Sequence, residues 1–290
     1  MRYRDRKGNE YNGENGQDRL LAFVYGHTAT RLLIRPLLSP IVSRIGGAFL
    51  NTRISKLGIH AFVKSNGIDL SVYEKQKFDS YNEFFTRKIR AAERPADMRE
   101  NVLISPSDGK VSVYPIEENG TFRIKHTPYT VRQLLRDDKL ADRYMGGWIY
   151  VIRLTVDDYH RYCYVSDGYR SSGRRIKGVL HTVNPVANDC YPIYKMNTRE
   201  YCLLKTRKLG TVLTMEVGAL MVGEICNYVK QPCEVHRGEE KGRFEFGGST
   251  IIVMTEPGKV IPDQDLRTNT REHAETLVKM GEHIGAQIER

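Results

Sequence analysis

The spacing of apolar and polar positions changes character near residue 95. Before it, apolar residues recur in blocks with arginines set among them. Asp18 is a plausible N-cap for a helix over 19–26; a second apolar segment covers 29–38, carries Arg31 and Arg35, and is broken by Pro36 and Pro40. A third covers 41–50 around Arg44, and shorter helices are predicted at 59–62 and 81–89. Residues 1–17 are polar, with Tyr3 and Tyr11 their only large apolar side chains, and read as a loosely ordered leader. After Pro95, short runs rich in Val, Ile, Tyr and Thr alternate with Gly, Pro, Asn and Asp. Strands are predicted at 102–104, 110–114, 148–155, 159–165, 175–183, 201–204, 211–217, 221–229, 243–246 and 250–254, with one helix at 131–143. The pattern predicts an α+β protein. Residues 1–95 form a polar leader and an amphipathic helical, membrane-associating region, and 96–290 form a β-rich core of short, mostly antiparallel strands.

None of the N-terminal apolar segments reaches the roughly 20 residues needed to cross a bilayer. Leu, Ile and Phe interleaved with arginine suit helices lying in a membrane interface. The formal charge of +10 agrees, because it calls for an anionic partner. Nucleic acid is disfavoured, since Lys and Arg are dispersed and no nucleic-acid-binding motif is present. Five cysteines at irregular spacings, with no signal peptide ahead of them, read as reduced thiols in a cytoplasmic compartment. Cys226, Cys233 and His236 match no zinc spacing, and no metal is expected.

Candidate chemistry centres on Phe246-Gly247-Gly248-Ser249-Thr250, between two predicted strands. A Gly-Ser pair by itself reads as a bulge followed by a strand serine. It has a second use: the Ser249 hydroxyl can attack the Gly248 carbonyl, which no side chain shields. Such an attack needs a base and a group to orient it. Asp108, in Ser105-Pro106-Ser107-Asp108-Gly109-Lys110, fits an ordinary Asp-Gly turn or an orienting carboxylate. His160 and His181 are the histidines in β context.

Together these pieces resemble the phosphatidylserine decarboxylases, a pyruvoyl-dependent, self-processing family. The matching segments, in order, include Phe84-Phe85-Thr86-Arg87, Arg94-Pro95, Ser105 to Lys110, Asp158-Tyr159-His160-Arg161, Val183-Asn184-Pro185, Arg199-Glu200, Glu216-Val217-Gly218-Ala219, Lys241-Gly242, Gly247-Gly248-Ser249-Thr250 and Met280-Gly281-Glu282. Each is weak alone, and the ordered set is specific. The resemblance implies cleavage between Gly248 and Ser249 into a large chain, 1–248, and a small chain, 249–290. It implies conversion of Ser249 to a covalent pyruvoyl group that forms a Schiff base with phosphatidylserine, and release of CO2 to leave phosphatidylethanolamine. Nothing in the sequence suggests pyridoxal phosphate. The implied partners are the substrate, an anionic phospholipid membrane and the two chains of one proenzyme, with a homodimer left open. The implied location is the cytoplasmic face of the cell membrane, peripheral or monotopic.

Asp108 matches the family's orienting aspartate, Ser249 its nucleophile and His160 the histidine that assists decarboxylation. One position departs. Where the family usually carries a second histidine, the base for self-cleavage, this chain has Cys163, and a neutral thiol is a poor proton acceptor. The segment 167–174 reads as a hairpin connection. Folded about Ser171-Ser172, it would set Cys163 opposite His181 with Cβ atoms about 4.5–5.5 Å apart, so that His181 replaces the missing base. The competing expectations are that His160 serves both steps or that cleavage fails. Failure would leave an unprocessed, non-catalytic lipid-binding relative; a pyruvoyl decarboxylase of another amino acid is a further alternative.

Overall fold

The computed structural model describes residues 2–12, 23, 30, 40–124, 126–182, 188, 192–219, 224–245 and 249–289. Its strands are, in chain order, β1 (Arg2–Arg4), β2 (Glu10–Asn12), β3 (Val102–Ile104), β4 (Gly109–Pro115), β5 (Thr121–Ile124), β6 (Thr127–Thr130), β7 (Trp148–Leu154), β8 (Arg161–Cys163), β9 (Gly168–Arg170) and β10 (Arg174–Ile176). There follow β11 (Arg199–Lys205), β12 (Thr211–Val217), β13 (Ile225–Asn227), β14 (Cys233–Val235), β15 (Glu240–Phe244), β16 (Ser249–Thr255), β17 (Val260–Pro262), β18 (Glu275–Val278) and β19 (His283–Gln287). The helices that matter below are α1 (Pro40–Leu50), α2 (Ile59–Asn66) and α3 (Tyr81–Phe85), with a 3-10 helix at Arg53–Gly58.

One long sheet carries the molecule, in the order β14-β9-β11-β12-β16-β7-β4-β18-β1-β2, with β10 also paired to β11. Its middle strands are rich in β-branched residues and buried along almost their whole length; β16, Ser-Thr-Ile-Ile-Val-Met-Thr, is buried at every position. Strands buried on both faces read as continuous apolar runs, which is why 211–217 and 250–254 were legible. A small sheet, β13-β15-β8, lies over one end of it. There the buried Lys241 of β15 pairs with Glu216 of β12. All named pairings are antiparallel except β1 with β18.

Several expectations change. The leader is built into the fold: residues 2–12 form a hairpin whose β1 extends the sheet beside β18. Ion pairs fasten it, Arg4 to Glu272 at 2.5 Å and Arg6 to Asp263 at 2.7 Å, and Tyr3 stacks on Tyr11. The predicted helix at 41–50 is α1, with Pro40 as its first residue. The helices expected over 19–26 and 29–38 lie outside the described residues, Phe23 and Thr30 apart. The helix at 131–143 divides at Arg136, whose φ of +49° is left-handed. The strand expected over 175–183 ends at Ile176. No helix among the described residues is long and apolar enough to cross a membrane.

Arg153 of β7 and Glu275 of β18 form a buried ion pair across β4, with contacts of 3.1 and 2.5 Å. Removing one partner strands the other charge in the core. Glu275→Ala is therefore expected to lower the unfolding free energy by about 3–5 kcal/mol in denaturant titration, and the paired Arg153→Met, Glu275→Leu change by much less.

Candidate active site

The register of three adjacent strands sets the site. Ser249 opens β16 and lies opposite Leu154, the last residue of β7, while Lys110 of β4 lies opposite Arg153. The starts of β4 and β16 and the end of β7 thus meet at one end of the sheet's central strands. Gly109 is required there: at a φ of +153° a Cβ would come 2.8 Å from the Arg153 carbonyl oxygen. The turn before it presents Asp108. Its carboxylate accepts from the Arg94 guanidinium at 2.9 and 2.6 Å and from the Met280 backbone N–H at 2.8 Å.

Cys163 packs directly on that turn. Its N–H donates to the Pro106 carbonyl at 2.8 Å and its thiol lies 3.9 Å from the Ser105 carbonyl. Burial pushes the thiol up to about 12, so it is protonated at neutral pH. The position where the family carries a histidine therefore touches the Asp108 turn and holds no base.

His160 follows the loop that leaves β7. In that loop the Asp158 carboxylate accepts from the Thr155 N–H and hydroxyl, both at 2.7 Å, and from Lys110 at 3.4 Å. His160 Nδ1 lies 2.9 Å from the Asp158 carbonyl. A carbonyl only accepts, so Nδ1 carries the proton and Nε2 presents a lone pair. Nε2 is buried and has no partner among the described residues, and the same holds for Ser249 Oγ and Ser107 Oγ. Burial, then the charge of Arg87, pulls the imidazole down to about 3, so it is neutral in the folded chain.

The hairpin expected to carry His181 to Cys163 does not form. Cys163 lies opposite Glu240 of β15, and β9 and β10 pair with β11 rather than with each other. Ser171 is bound to Leu203 through its N–H and hydroxyl, so the expected turn is spent bridging to β11. His181 reaches the Ser249 end of the sheet by another route. The Asn197 side chain accepts from the His181 N–H at 2.9 Å and donates at 2.8 Å to both the His181 and Gly218 carbonyls. Gly218 follows Val217, the partner of Thr250, and so borders Ser249. Burial lowers the His181 pKa. Asn197 gave no signal in the sequence because its work is entirely with distant backbone. Gly248 lies outside the described residues, and among those described no cluster of His, Cys, Asp and Glu forms a metal site.

Comparison with known proteins identifies the family. A family model described as phosphatidylserine decarboxylase matches residues 81–286. The chain belongs to the phosphatidylserine decarboxylase family. It is 41% identical over 273 residues to phosphatidylserine decarboxylase proenzyme 2 of Clostridium acetobutylicum, covering 94% of this chain and 92% of that one. It is 36% identical over 288 residues to a phosphatidylserine decarboxylase proenzyme of Clostridium botulinum, covering 96% of each, and 34% identical over 293 residues to that of Clostridium tetani, covering 99% of each. As a phosphatidylserine decarboxylase proenzyme, the chain is a carboxy-lyase of phospholipid biosynthesis.

The buried neutral histidine has a consequence for stability. Between pH about 3 and 6.5 the unfolded chain binds a proton at His160 that the folded chain refuses, so this residue's contribution is full above 6.5 and falls as the pH drops toward 3. In a His160→Gln variant, unfolding free energy should fall less steeply across that window than in the wild type, as measured by denaturant titration at a series of pH values.

Proposed function

We propose that this phosphatidylserine decarboxylase activates itself between Gly248 and Ser249 and works at an anionic membrane surface. One observation carries the reading: the Ser249 hydroxyl is fully buried, without a hydrogen-bond partner among the described residues, at the first position of a strand zipped on both sides. Buried hydroxyls are rarely left unpaired, and one at the head of a strand, following two glycines in the sequence, is suited to act as a nucleophile. Attack by Oγ, with its proton passing to an imidazole, moves the 1–248 acyl group from nitrogen to oxygen. Loss of the Ser249 α-proton then expels that acyl group as a carboxylate, and water releases the nitrogen as ammonia.

Ser249 also suits the pyruvoyl group the family implies, because loss of its Oγ would leave a methyl group at a fully buried position that offers no polar partner among the described residues. Once formed, that group supplies an electron sink for the pair left behind by departing CO2. The other residues divide the remaining work. Asp108, bonded to Arg94 and to the Met280 N–H, fixes the turn that packs on Cys163. His181 is the base for cleavage, since burial keeps it neutral, while the Cys163 thiol stays protonated. His160 returns a proton to the product carbanion; the negative charge of an arriving substrate raises its proton affinity from the low resting value. A second reading, His160 as base for both steps, is favoured by the lone pair on its buried Nε2.

The membrane reading rests on exposed apolar side chains flanked by cations. Ile45 and Phe49 of α1 are exposed, as are Ile54 (68%) and Leu57 (79%) of the 3-10 helix, with Arg53 and Lys56 exposed beside them. Apolar groups of this kind enter the acyl boundary while the cations meet phosphates.

Intact mass should show two chains for the wild type, the smaller blocked by pyruvoyl, and one unprocessed chain without activity for Ser249→Ala. His181→Ala should remain uncut while His160→Ala is cut but inactive. Full cutting of His181→Ala together with none of His160→Ala assigns both steps to His160. On the membrane side, Ile54→Glu with Leu57→Glu should weaken sedimentation with anionic vesicles by about tenfold or more, leaving the cutting intact.

A further inference from the structure

Arg87 is a buried guanidinium that no carboxylate pairs among the described residues. It is 2% exposed, and its Nε has no partner among those residues. Its Nη2 donates to the carbonyls of Asp157 at 3.1 Å and Asp158 at 3.4 Å, and its Nη1 to that of Phe84 at 3.2 Å. The rings of Tyr73 and Phe84 each lie 4.7 Å from its centre. Leaving a cation buried without an anion is costly. Arg170 and Arg199 are held by carbonyls in the same way, and what sets Arg87 apart is that two of its carbonyls belong to the loop that carries His160. The Asp158 carbonyl that Arg87 grips also accepts from His160 Nδ1. Phe85, fully buried two residues earlier in the chain, sets its ring 3.9 Å from the imidazole. The neighbouring Thr86 carbonyl accepts from Arg161 at 2.9 Å. His160 is therefore fixed from two directions by one short segment: its ring by Phe85, and the carbonyl that sets its tautomer by Arg87.

We propose that Arg87 and Phe85 are positioning residues that fix the tautomer and orientation of His160 for proton transfer to the decarboxylated product. The proposal rests on the role given to His160 above. Arg87 is not placed to bind substrate phosphate, since its terminal nitrogens hold backbone carbonyls and aromatic rings cover it. Its charge, close to an imidazole in a dry site, also opposes protonation of the ring in the resting protein.

Two measurements on the full chain test this. In an unprocessed Ser249→Ala background, NMR titration of the His160 imidazole, assigned by loss of its signal in His160→Ala, should shift upward by about one pH unit in Arg87→Gln and stay near the parent value in Arg87→Lys. In the processed enzyme, assayed on phosphatidylserine in detergent micelles, Arg87→Gln and Phe85→Leu should still yield two chains. Their kcat should drop about tenfold or more with KM within about twofold, and Arg87→Lys should recover only part of it. An unmoved titration, a kcat that falls only with the fraction processed, or a rise in KM alone would overturn the proposal, the last by making Arg87 a substrate ligand. If wild type is uncut and inactive, the functional reading fails instead, and the titration still judges the clamp on His160. If Arg87→Gln does not fold, Phe85→Leu, which keeps the charge, carries the kcat test.

Discussion

The register between β4, β7 and β16 is the constraint on which the rest depends. Side-chain direction alternates along a strand, so a slip of one residue would turn Ser249 to the opposite face and move every β16 side chain into a packing site shaped for its neighbour. That slip is blocked from both sides. Seven residues of β16 face β7 and five face β12, with Ile251, Ile252, Val253 and Met254 fully buried between them. Gly109 sets the third strand of the group by a backbone approach that no other residue allows. The same pairing has a consequence for a chain cut before Ser249. The segment 249–290 contributes β16 at the centre of the long sheet and β18 beyond β4, so the two pieces stay joined by the core itself.

Several charges inside this core are arranged in local pairs. Arg94 with Asp108, Arg153 with Glu275 and Lys241 with Glu216 are each matched. His160 and Cys163 lie between them, both neutral, each kept so by burial. Arg87 is a buried cation beside His160 whose contacts are carbonyls and rings instead of an anion. The His160 Nε2 and the Ser249 hydroxyl are buried without partners among the described residues, and the Cys163 thiol stays protonated. That follows from what each side chain touches, and not from composition.

The sequence made the family more legible than the connections. Ser249, Asp108 and His160 stood in short segments that singly read as a bulge, a turn and a strand histidine; their ordered set carried the resemblance, and the structure sets the starts and ends of their strands at one end of the sheet. The β-rich core and α1 were likewise readable, because continuous apolar runs and an amphipathic block are local signals. The hairpin between Cys163 and His181 was not. Locally, two β-prone runs around Ser171-Ser172 look like partners. The seven-residue β11 competes for both, binding β9 at Leu204 and Lys205 and β10 from Arg199 to Tyr201. Nor could the hairpin at residues 2–12 be seen, since its anchors are Glu272 and Asp263, over 250 positions away. Such contacts leave no periodicity in the segment they hold.

The placement of α3 ties two halves of the molecule that the sequence separates. On one side it meets the apolar, cation-flanked segment: the Tyr81 N–H donates to the Ser55 hydroxyl at 2.8 Å, and Phe62 of α2 sits edge-on to Tyr81 and Phe84. On the other, Phe85 reaches the imidazole of His160, and Arg87, just beyond the helix, reaches the loop beneath it. Five helical residues therefore separate the surface suited to lipid from the group suited to proton transfer. Ser80 caps this helix by accepting from the Glu83 N–H, which fixes where it starts and hence which side chain meets the histidine. An enzyme whose substrate lies in a membrane has to hold its reacting groups at a set depth from that surface, and a short, capped helix buried at Phe84 and Phe85 sets such a distance better than a loop would.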